Sequence, residues 1–126
     1  YVAYLWTSIQ GYSNFGSFTG NGNANGPFIY LGFKPAWVLW KDTSDANDAW
    51  YMYDNERNAY NSQTNYLSPT SANTEGSNGG LMEFLSNGFK VRNTGGDMND
   101  NGNIYIYAAF AENPFVTSSG VPTTAR

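Results

Sequence analysis

The strongest chemical pattern in this chain is the segment Asp97-Met-Asn-Asp-Asn-Gly-Asn-Ile, close to its C-terminal end. Oxygen-bearing side chains at alternate positions before a glycine are typical of the first half of a calcium-binding loop, because calcium takes about six to eight hard oxygen ligands. The last ligand position of such a loop normally holds a bidentate glutamate, whereas this chain has Ala108 there. The alternative is an Asn-Gly turn that needs no ion, and the sequence favours it. The candidate calcium ligands are Asp97, Asn99, Asn101 and Asn103.

A second acidic stretch, at 42–48, reads Asp-Thr-Ser-Asp-Ala-Asn-Asp. It either binds a cation through its carboxylates or forms an ordinary solvated surface loop. A cation site would gain from both acidic loops lying at the same end of the fold. Apart from calcium in these loops, the sequence predicts no cofactor.

Aromatic and polar side chains are mixed in the stretch from Trp50 to Asn61, which makes it the candidate ligand-binding segment. Flat aromatic faces can stack on sugar rings while Asn and Asp side chains bond the hydroxyls. Several alternatives stay open. The aromatics pack between two sheets, as large aromatics commonly do, or they contact another subunit. An Asp54–Arg57 pair braces the turn instead of clamping a ligand. The candidate glycan-binding residues are Trp50, Tyr51, Tyr53, Asp54, Arg57, Asn58, Tyr60 and Asn61.

The composition excludes several classes of function. The net charge is −4 and the six Lys and Arg residues are scattered, so nucleic acid is not an expected partner. Without cysteine or histidine, the chain holds neither a Ser-His-Asp triad nor a zinc site of the usual ligands. No Glu-x-Asp-x-Glu run supplies paired carboxylates for glycoside cleavage, and no apolar run reaches the ~20 residues that span a membrane. The sequence therefore predicts no enzyme and no membrane insertion.

Short alternating apolar runs between Gly, Asn and Pro clusters predict an all-β fold, a two-layer antiparallel β-sandwich with jelly-roll-like connections. Asn-Gly pairs, such as Asn87-Gly88 and Asn101-Gly102, predict hairpin turns. The polar stretch 55–80 is predicted to be a long functional or mobile loop. One domain is expected over 1–126, with 117–126 as a C-terminal tail. The predicted strands are 2–9, 15–20, 27–31, 36–41, 50–53, 81–85, 88–93 and 103–111.

The opening segment, Tyr1-Val-Ala-Tyr-Leu-Trp, has the same character as the later segment Ile104-Tyr-Ile-Tyr-Ala-Ala-Phe. Both interleave aromatic with small or aliphatic residues. Either two core strands share a composition, or 1–9 is the last strand of a preceding copy of the same unit. The strand 1–9 favours an architectural role, because an edge strand without a partner invites pairing with a neighbouring subunit.

Several segments together resemble one family of domains. They are Gln10-Gly-Tyr-Ser-Asn-Phe-Gly, Gly26-Pro-Phe-Ile-Tyr, Gly32-Phe-Lys-Pro-Ala-Trp-Val, Leu85-Ser-Asn-Gly-Phe-Lys-Val-Arg-Asn-Thr and Tyr105-Ile-Tyr-Ala-Ala-Phe-Ala-Glu-Asn-Pro-Phe-Val. In combination they resemble C-terminal domains of virion proteins from tailed phages, many of them marine and often tail or tail-fibre proteins. The resemblance implies a concanavalin-like or laminin-G-like β-sandwich located in the virion. The loop at 97–103 departs from the family, which tends to carry a shorter turn there.

The resemblance and the residues together predict a non-enzymatic structural or adhesive module of a tail fibre or receptor-binding protein. Its expected partners are other copies of virion proteins, in a homo-oligomer, and a host-surface glycan. One alternative is a purely architectural capsid-decoration or fibre subunit. A polysaccharide-degrading domain is the remaining alternative.

Overall fold

Eight strands form two antiparallel sheets that pack against each other in a computed structural model. The structure describes residues 1–94, 96–114, 117 and 119, with 78–80 described by their backbone alone. A short 3-10 helix, Gly96–Met98, precedes the last strand. The strands are β1 (Ser13–Thr19), β2 (Phe28–Tyr30), β3 (Pro35–Asp42), β4 (Trp50–Asp54), β5 (Gln63–Tyr66), β6 (Gly76–Leu85), β7 (Gly88–Val91) and β8 (Ile104–Ala111).

Each sheet has four strands. Sheet A has the order β1-β8-β3-β4, and sheet B has the order β2-β7-β6-β5. The predicted all-β, two-layer antiparallel sandwich is therefore confirmed, while jelly-roll-like wiring and the concanavalin-like likeness stay predictions. The described part of the chain contains no helix with the length and apolar character needed to cross a membrane.

The core lies between the sheets and follows from alternation along the strands. On β3, Val38 and Trp40 point inward and are fully buried, as expected when successive side chains point to opposite faces. The Trp40 ring contacts Tyr53 of its own sheet, with ring centroids 5.5 Å apart, and Phe89 of sheet B, at 6.3 Å. Large aromatic side chains therefore fill the space between the layers.

The predicted Asn-Gly turns are confirmed only in part. The connection between β6 and β7 is Ser86-Asn87, and Gly88 is the first residue of β7, opposite Leu85. A Cβ on Gly88 would collide with the carbonyl oxygen of Ile29 on β2. Asn101-Gly102 forms a turn, but this turn follows the 3-10 helix and does not join two paired strands. Gly102 has φ +88°, a left-handed conformation that glycine adopts without steric cost.

The predicted strand 2–9 is wrong. Only Ile9 makes a strand-like bridge, to Ser13, across a tight turn in which Gly11 has φ 72°. Residues 1–8 lie outside both sheets. This segment has the apolar pattern of a strand, but within the described residues no strand of either sheet pairs with residues 1–8.

The predicted loop 55–80 is also partly wrong, because it contains β5 and the beginning of β6. The strand β5 has the sequence Gln-Thr-Asn-Tyr and lacks apolar alternation. Its pairing with β6 keeps it extended, with Gln63 opposite Met82. Because β propensity depends on neighbouring strands more than on local composition, this strand gives little signal in the sequence.

Candidate functional site

The two acidic loops lie side by side at one end of the sandwich. The backbone N–H of Thr43 donates to the carbonyl of Ile104 over 2.8 Å, and Asn103 Nδ2 donates to Asp42 Oδ2 over 2.7 Å. Burial raises the pKa of the Asp48 carboxyl, and the negative charge of Asp97 raises it further. Carboxylates of the two loops therefore lie close enough together for the charge of Asp97 to affect the protonation of Asp48.

Asn99, the second candidate calcium ligand, is fully buried and bonded on every side. Its Oδ1 accepts from the backbone N–H of Asn21 over 2.9 Å. Its Nδ2 donates to Asn21 Oδ1 (3.0 Å) and to the carbonyls of Asn23 (3.0 Å) and Asn93 (2.6 Å). The side chain thus joins three separate stretches of chain and is committed to holding the loop together.

The other candidate calcium ligands are also engaged or face solvent. Asp97 Oδ2 accepts from the Tyr51 hydroxyl over 2.7 Å, and burial, followed by this bond, raises the pKa of Tyr51. Asn103 bonds Asp42, and Asn101 is exposed. Among the described residues, no group of three or more acidic side chains is arranged to hold a metal ion. Calcium stays a prediction, and the hydrogen bonds favour the turn interpretation.

Lys41 supplies the positive charge in the 42–48 loop. Its Nζ donates to the carbonyl oxygens of Asp42 (3.0 Å), Asp45 (3.2 Å) and Asp48 (2.9 Å). An ammonium has three N–H donors, so these bonds use all of them. The ammonium therefore orders the loop carbonyls in the way that a bound cation would.

Replacing Lys41 by methionine is expected to destabilise the fold by about 1–2 kcal/mol, because hydrogen bonds from a charged donor contribute ~1.5–3 kcal/mol and this site is partly exposed. The three lost hydrogen bonds all lie in the 42–48 loop, so amide hydrogen exchange over 43–48 should accelerate in the variant. Lys90→Met, at a half-buried lysine on sheet B, is the matched control. Equal exchange rates in wild type and Lys41→Met would contradict the role of the ammonium.

Asp42 is fully buried in the same region and makes stability depend on pH. Burial raises its pKa, but hydrogen bonds from Asn103, Ser44 and Tyr105 outweigh that effect and leave the pKa below its ordinary value of 3.8. A carboxyl with a depressed folded-state pKa stabilises the fold above pH 3.8 and loses that contribution as pH falls through the folded pKa.

Asp42→Asn should therefore be less stable than wild type at neutral pH, with a difference that narrows below pH 3.8. Urea unfolding at a series of pH values measures this difference. Comparison with wild type cancels the titration of the other carboxyls. A difference that is constant across the acid range would contradict the depressed pKa.

Two of the candidate glycan-binding residues are part of the core. Tyr51 and Tyr53 point inward from β4, with 9% and 0% of their surface exposed. Their rings pack against Tyr66 of β5, with centroids 5.2 and 6.0 Å apart. These aromatics follow the alternative in which they pack between the sheets.

The Asp54–Arg57 pair braces the turn after β4. Arg57 Nε lies 2.8 Å from Asp54 Oδ2, and its Nη1 lies 2.8 Å from Glu75 Oε2. Asp54 Oδ1 also accepts the backbone N–H groups of Glu56 and Arg57. The carboxylate of Asp54 and the guanidinium of Arg57 therefore each have an oppositely charged partner within the chain.

Asn58 and Asn61 hold the neighbouring strands. Asn58 Oδ1 accepts the backbone N–H groups of Thr64 (3.0 Å) and Asn65 (2.8 Å). Asn61 pairs with Phe84 as a strand residue would, donating to its carbonyl over 2.7 Å and accepting its N–H over 2.9 Å. Their side chains therefore shape the walls of this region and have little capacity left for a ligand.

Of the remaining two candidates, Tyr60 is 86% exposed in the turn region after β4. Trp50 lies on the opposite side of β4 from Tyr51, on the surface of sheet A that faces away from sheet B. We call this surface the outer face. Trp50 and Tyr60 are therefore not parts of one aromatic platform.

The outer face is an apolar surface. The sequence left contact with another subunit open for aromatics that point away from the core, but it did not identify the residues of this surface. The outer face includes a cavity of about 510 Å³ lined mainly by apolar side chains, among them Leu39, Trp50 and Ile106. The opening segment reaches onto it, where the Trp6 ring packs on Phe15 (5.9 Å) and Phe110 (6.2 Å). Its apolar side chains are Phe15 on β1, Trp37 and Leu39 on β3, Trp50 and Met52 on β4, and Ile104, Ile106, Ala108 and Phe110 on β8.

A signal for this surface is present in the sequence. The strand β8, Ile-Tyr-Ile-Tyr-Ala-Ala-Phe-Ala, is apolar at every position instead of at alternate ones. In an antiparallel sheet with one solvated face, the outward positions are commonly polar. Apolar residues at every position of β8 therefore indicate that the outer face of this strand is apolar, like its inner face.

The fold and this surface define a class of protein: a two-layer antiparallel β-sandwich domain with an apolar outer sheet face. The chain belongs to the family described as domain of unknown function DUF7483, whose model matches residues 1–114. No curated protein and no solved structure matches the chain.

Proposed function

We propose that the chain is a non-enzymatic structural module of a phage virion protein, and that it assembles with further copies of itself through the outer face of sheet A. The likeness of its motifs to C-terminal domains of tailed-phage virion proteins supports the virion setting. The exposed apolar outer face, together with the opening segment 1–8, is the observation that carries the assembly.

The exposure of this region is high for a surface in contact with water alone. Trp6 is 66% exposed and Ile106 is 39% exposed, and Tyr4, which lines the same cavity, is more exposed still. Contiguous apolar patches on soluble proteins commonly mark interaction sites, because burying them removes apolar area from water. The outer face would therefore be stabilised by a covering partner.

The charges on the outer face suit a second copy of the same chain. The charged side chains on its strands are Lys41 and Asp54. Lys41 is bonded to its own loop and Asp54 to Arg57. Two copies can therefore meet here without facing unmatched like charges, although the chain carries a net charge of −4.

The opening segment also favours a second copy. Tyr1-Val-Ala-Tyr-Leu-Trp resembles β8, the strand that already pairs on both sides within sheet A. Each copy carries both the segment and the face, so a twofold contact could be self-complementary. Extended apolar segments that add to a neighbouring sheet are a common mode of assembly.

Sedimentation equilibrium over a range of protein concentrations tests this proposal. We expect a dimer or a larger homo-oligomer that dissociates on dilution. A monomer at every concentration would overturn the proposal, because an outer face covered by a second copy requires association.

Adhesion to a host-surface glycan is the second candidate function. The exposed Tyr60 in the polar region after β4 favours it. A glycan array probed with wild type and Tyr60→Ala tests it, and binding that Tyr60→Ala retains in full would count against this candidate.

A further inference from the structure

A small pocket lies beside Tyr60, away from the outer face. Its volume is about 200 Å³, and Asn58, Asn61, Phe84 and Gln63 contribute to its walls. The ~300–1,000 Å³ typical of sites for drug-sized ligands is larger, so this pocket suits a single small ring. It joins the turn after β4 to the first residue of β5.

Gln63, one of the residues that line the pocket, has an unused hydrogen-bond acceptor. The residue is 3% exposed, and its Oε1 has no hydrogen-bond partner among the described residues. A buried polar atom without a partner is unfavourable, and such atoms in native structures frequently indicate a bound molecule. An acceptor of this kind requires a donor from the ligand.

Donors line the same pocket. Lys34 Nζ lies 3.0 Å from each carboxylate oxygen of Glu112, and Asn55 Nδ2 donates to Glu112 Oε1 over 3.1 Å. An ammonium and a side-chain amide each have a further N–H beyond these bonds. Because Glu112 already matches the charge of Lys34, the pocket offers donors without a net positive charge.

The pocket walls are held in place by the chain itself. Asn58 bonds the backbone of β5, and Asn61 pairs with Phe84 of β6. A site whose walls are fixed before binding loses less entropy when a ligand enters. The Tyr60 ring beside it is 86% exposed and supplies a flat apolar surface.

We propose that this pocket binds one neutral sugar ring. A hydroxyl donates to Gln63 Oε1 and another accepts from Lys34 or Asn55, while the C–H face of the ring packs on Tyr60. A hydroxyl both donates and accepts, so adjacent hydroxyls match this combination of groups. An anionic ligand would bring negative charge to the unpartnered oxygen of Gln63 without a free positive charge to match it, because Lys34 is already paired with Glu112.

This inference specifies a site for the second candidate function, glycan adhesion, and does not depend on assembly through the outer face. The test is a two-dimensional amide NMR titration of the whole chain with the methyl glycosides of glucose, galactose, mannose and N-acetylglucosamine. We expect saturable shifts of the signals of 55–63 and Phe84 with at least one sugar, with a Kd of about 1 mM, typical of a weak small-ligand complex.

Two variants separate binding from folding. Tyr60→Ala should weaken binding by at least about 10-fold, whereas Tyr30→Ala, at an exposed tyrosine of sheet B, should leave it unchanged. Gln63→Leu should weaken binding by about 3–10-fold, the usual effect of losing one hydrogen bond. Its melting temperature should be equal to or above that of wild type, because the unpartnered oxygen is gone.

Three results would overturn the proposal: no saturable shift with any of the four sugars, shifts that Tyr60→Ala leaves unchanged, or binding of an acidic sugar or a short peptide in preference to neutral sugars. A sugar titration without binding would contradict this site but not the assembly proposal, which sedimentation equilibrium tests separately. A monomeric chain that binds sugar at this pocket would overturn the assembly proposal alone.

Discussion

Asn99→Asp is expected to lower the free energy of unfolding by about 3–4 kcal/mol, although the two side chains have nearly the same shape. The aspartate loses the N–H donors that reach Asn21 Oδ1 and the carbonyls of Asn23 and Asn93. It also places a buried negative charge against these three oxygens. Each unmatched buried group costs about 1–3 kcal/mol, and more when it is charged.

Urea unfolding followed by tryptophan fluorescence measures this effect. Asn101→Asp is the matched control, because Asn101 lies in the same loop and is exposed. Its effect should stay within about 0.5 kcal/mol, as for most surface substitutions. Equal stabilities of the two variants would contradict the structural role of Asn99.

The same substitution separates the two interpretations of the loop. A calcium site gains affinity from an added carboxylate, so calcium would then restore the stability of Asn99→Asp. The hydrogen bonds around Asn99 lead us to expect no restoration by calcium and no effect of a chelator on wild type. A variant that is stable in calcium and unstable in chelator would support the metal site.

Much of the fold could be predicted because its signals are local. Alternation along β3 puts Trp37 and Trp40 on opposite faces, and the Asn-Gly pair at 87–88 marks the hairpin between β6 and β7. The side-chain period of two is local, and it can be read without knowing the partner strand. The need for glycine at position 88 is not local, because the carbonyl oxygen of Ile29 on β2 leaves no room for a Cβ there.

The errors have non-local causes. The segment 2–9 has the composition of a strand, but composition does not say whether a neighbouring edge is free to pair with it. The strand β5 has a polar composition, and its pairing with β6 keeps it extended. Asn99 bonds Asn21, 78 residues away, so its role depends on a contact that spacing within one loop does not show.

For the candidate glycan-binding residues too, the sequence does not show which side chains face the core. Alternation along β4 separates Tyr51 and Tyr53 from Trp50 and Met52 but does not say which pair faces sheet B. The structure places both tyrosines inside and Trp50 on the outer face. The use of Asn58 and Asn61 as backbone partners likewise depends on where β5 and β6 lie.

Ile106→Glu is expected to weaken self-association by at least about 100-fold, because a carboxylate would lose its hydration when the outer face is covered. Ile106 lies on β8 in register with Lys41 and is partly exposed, so the monomer should remain folded. Sedimentation equilibrium measures the association, and the melting temperature checks the fold. Trp6→Ser should also weaken association, by removing an aromatic ring that is 66% exposed and available to a second copy.

Tyr30→Glu is the matched control for Ile106→Glu. Tyr30 is exposed on β2, at the edge of sheet B. A charge there should leave the association constant unchanged. If Tyr30→Glu dissociates the oligomer and Ile106→Glu does not, the contact lies on sheet B and the proposed interface is contradicted.

The most direct test of assembly through the outer face is an isotope-filtered NOE experiment on an equal mixture of labelled and unlabelled chains, which detects contacts between copies alone. We expect cross-peaks from the methyl groups of Leu39 and Ile106 to aromatic protons of a second copy, including those of Trp6. Cross-peaks that involve only sheet B residues, such as Phe28 and Tyr30, would contradict it.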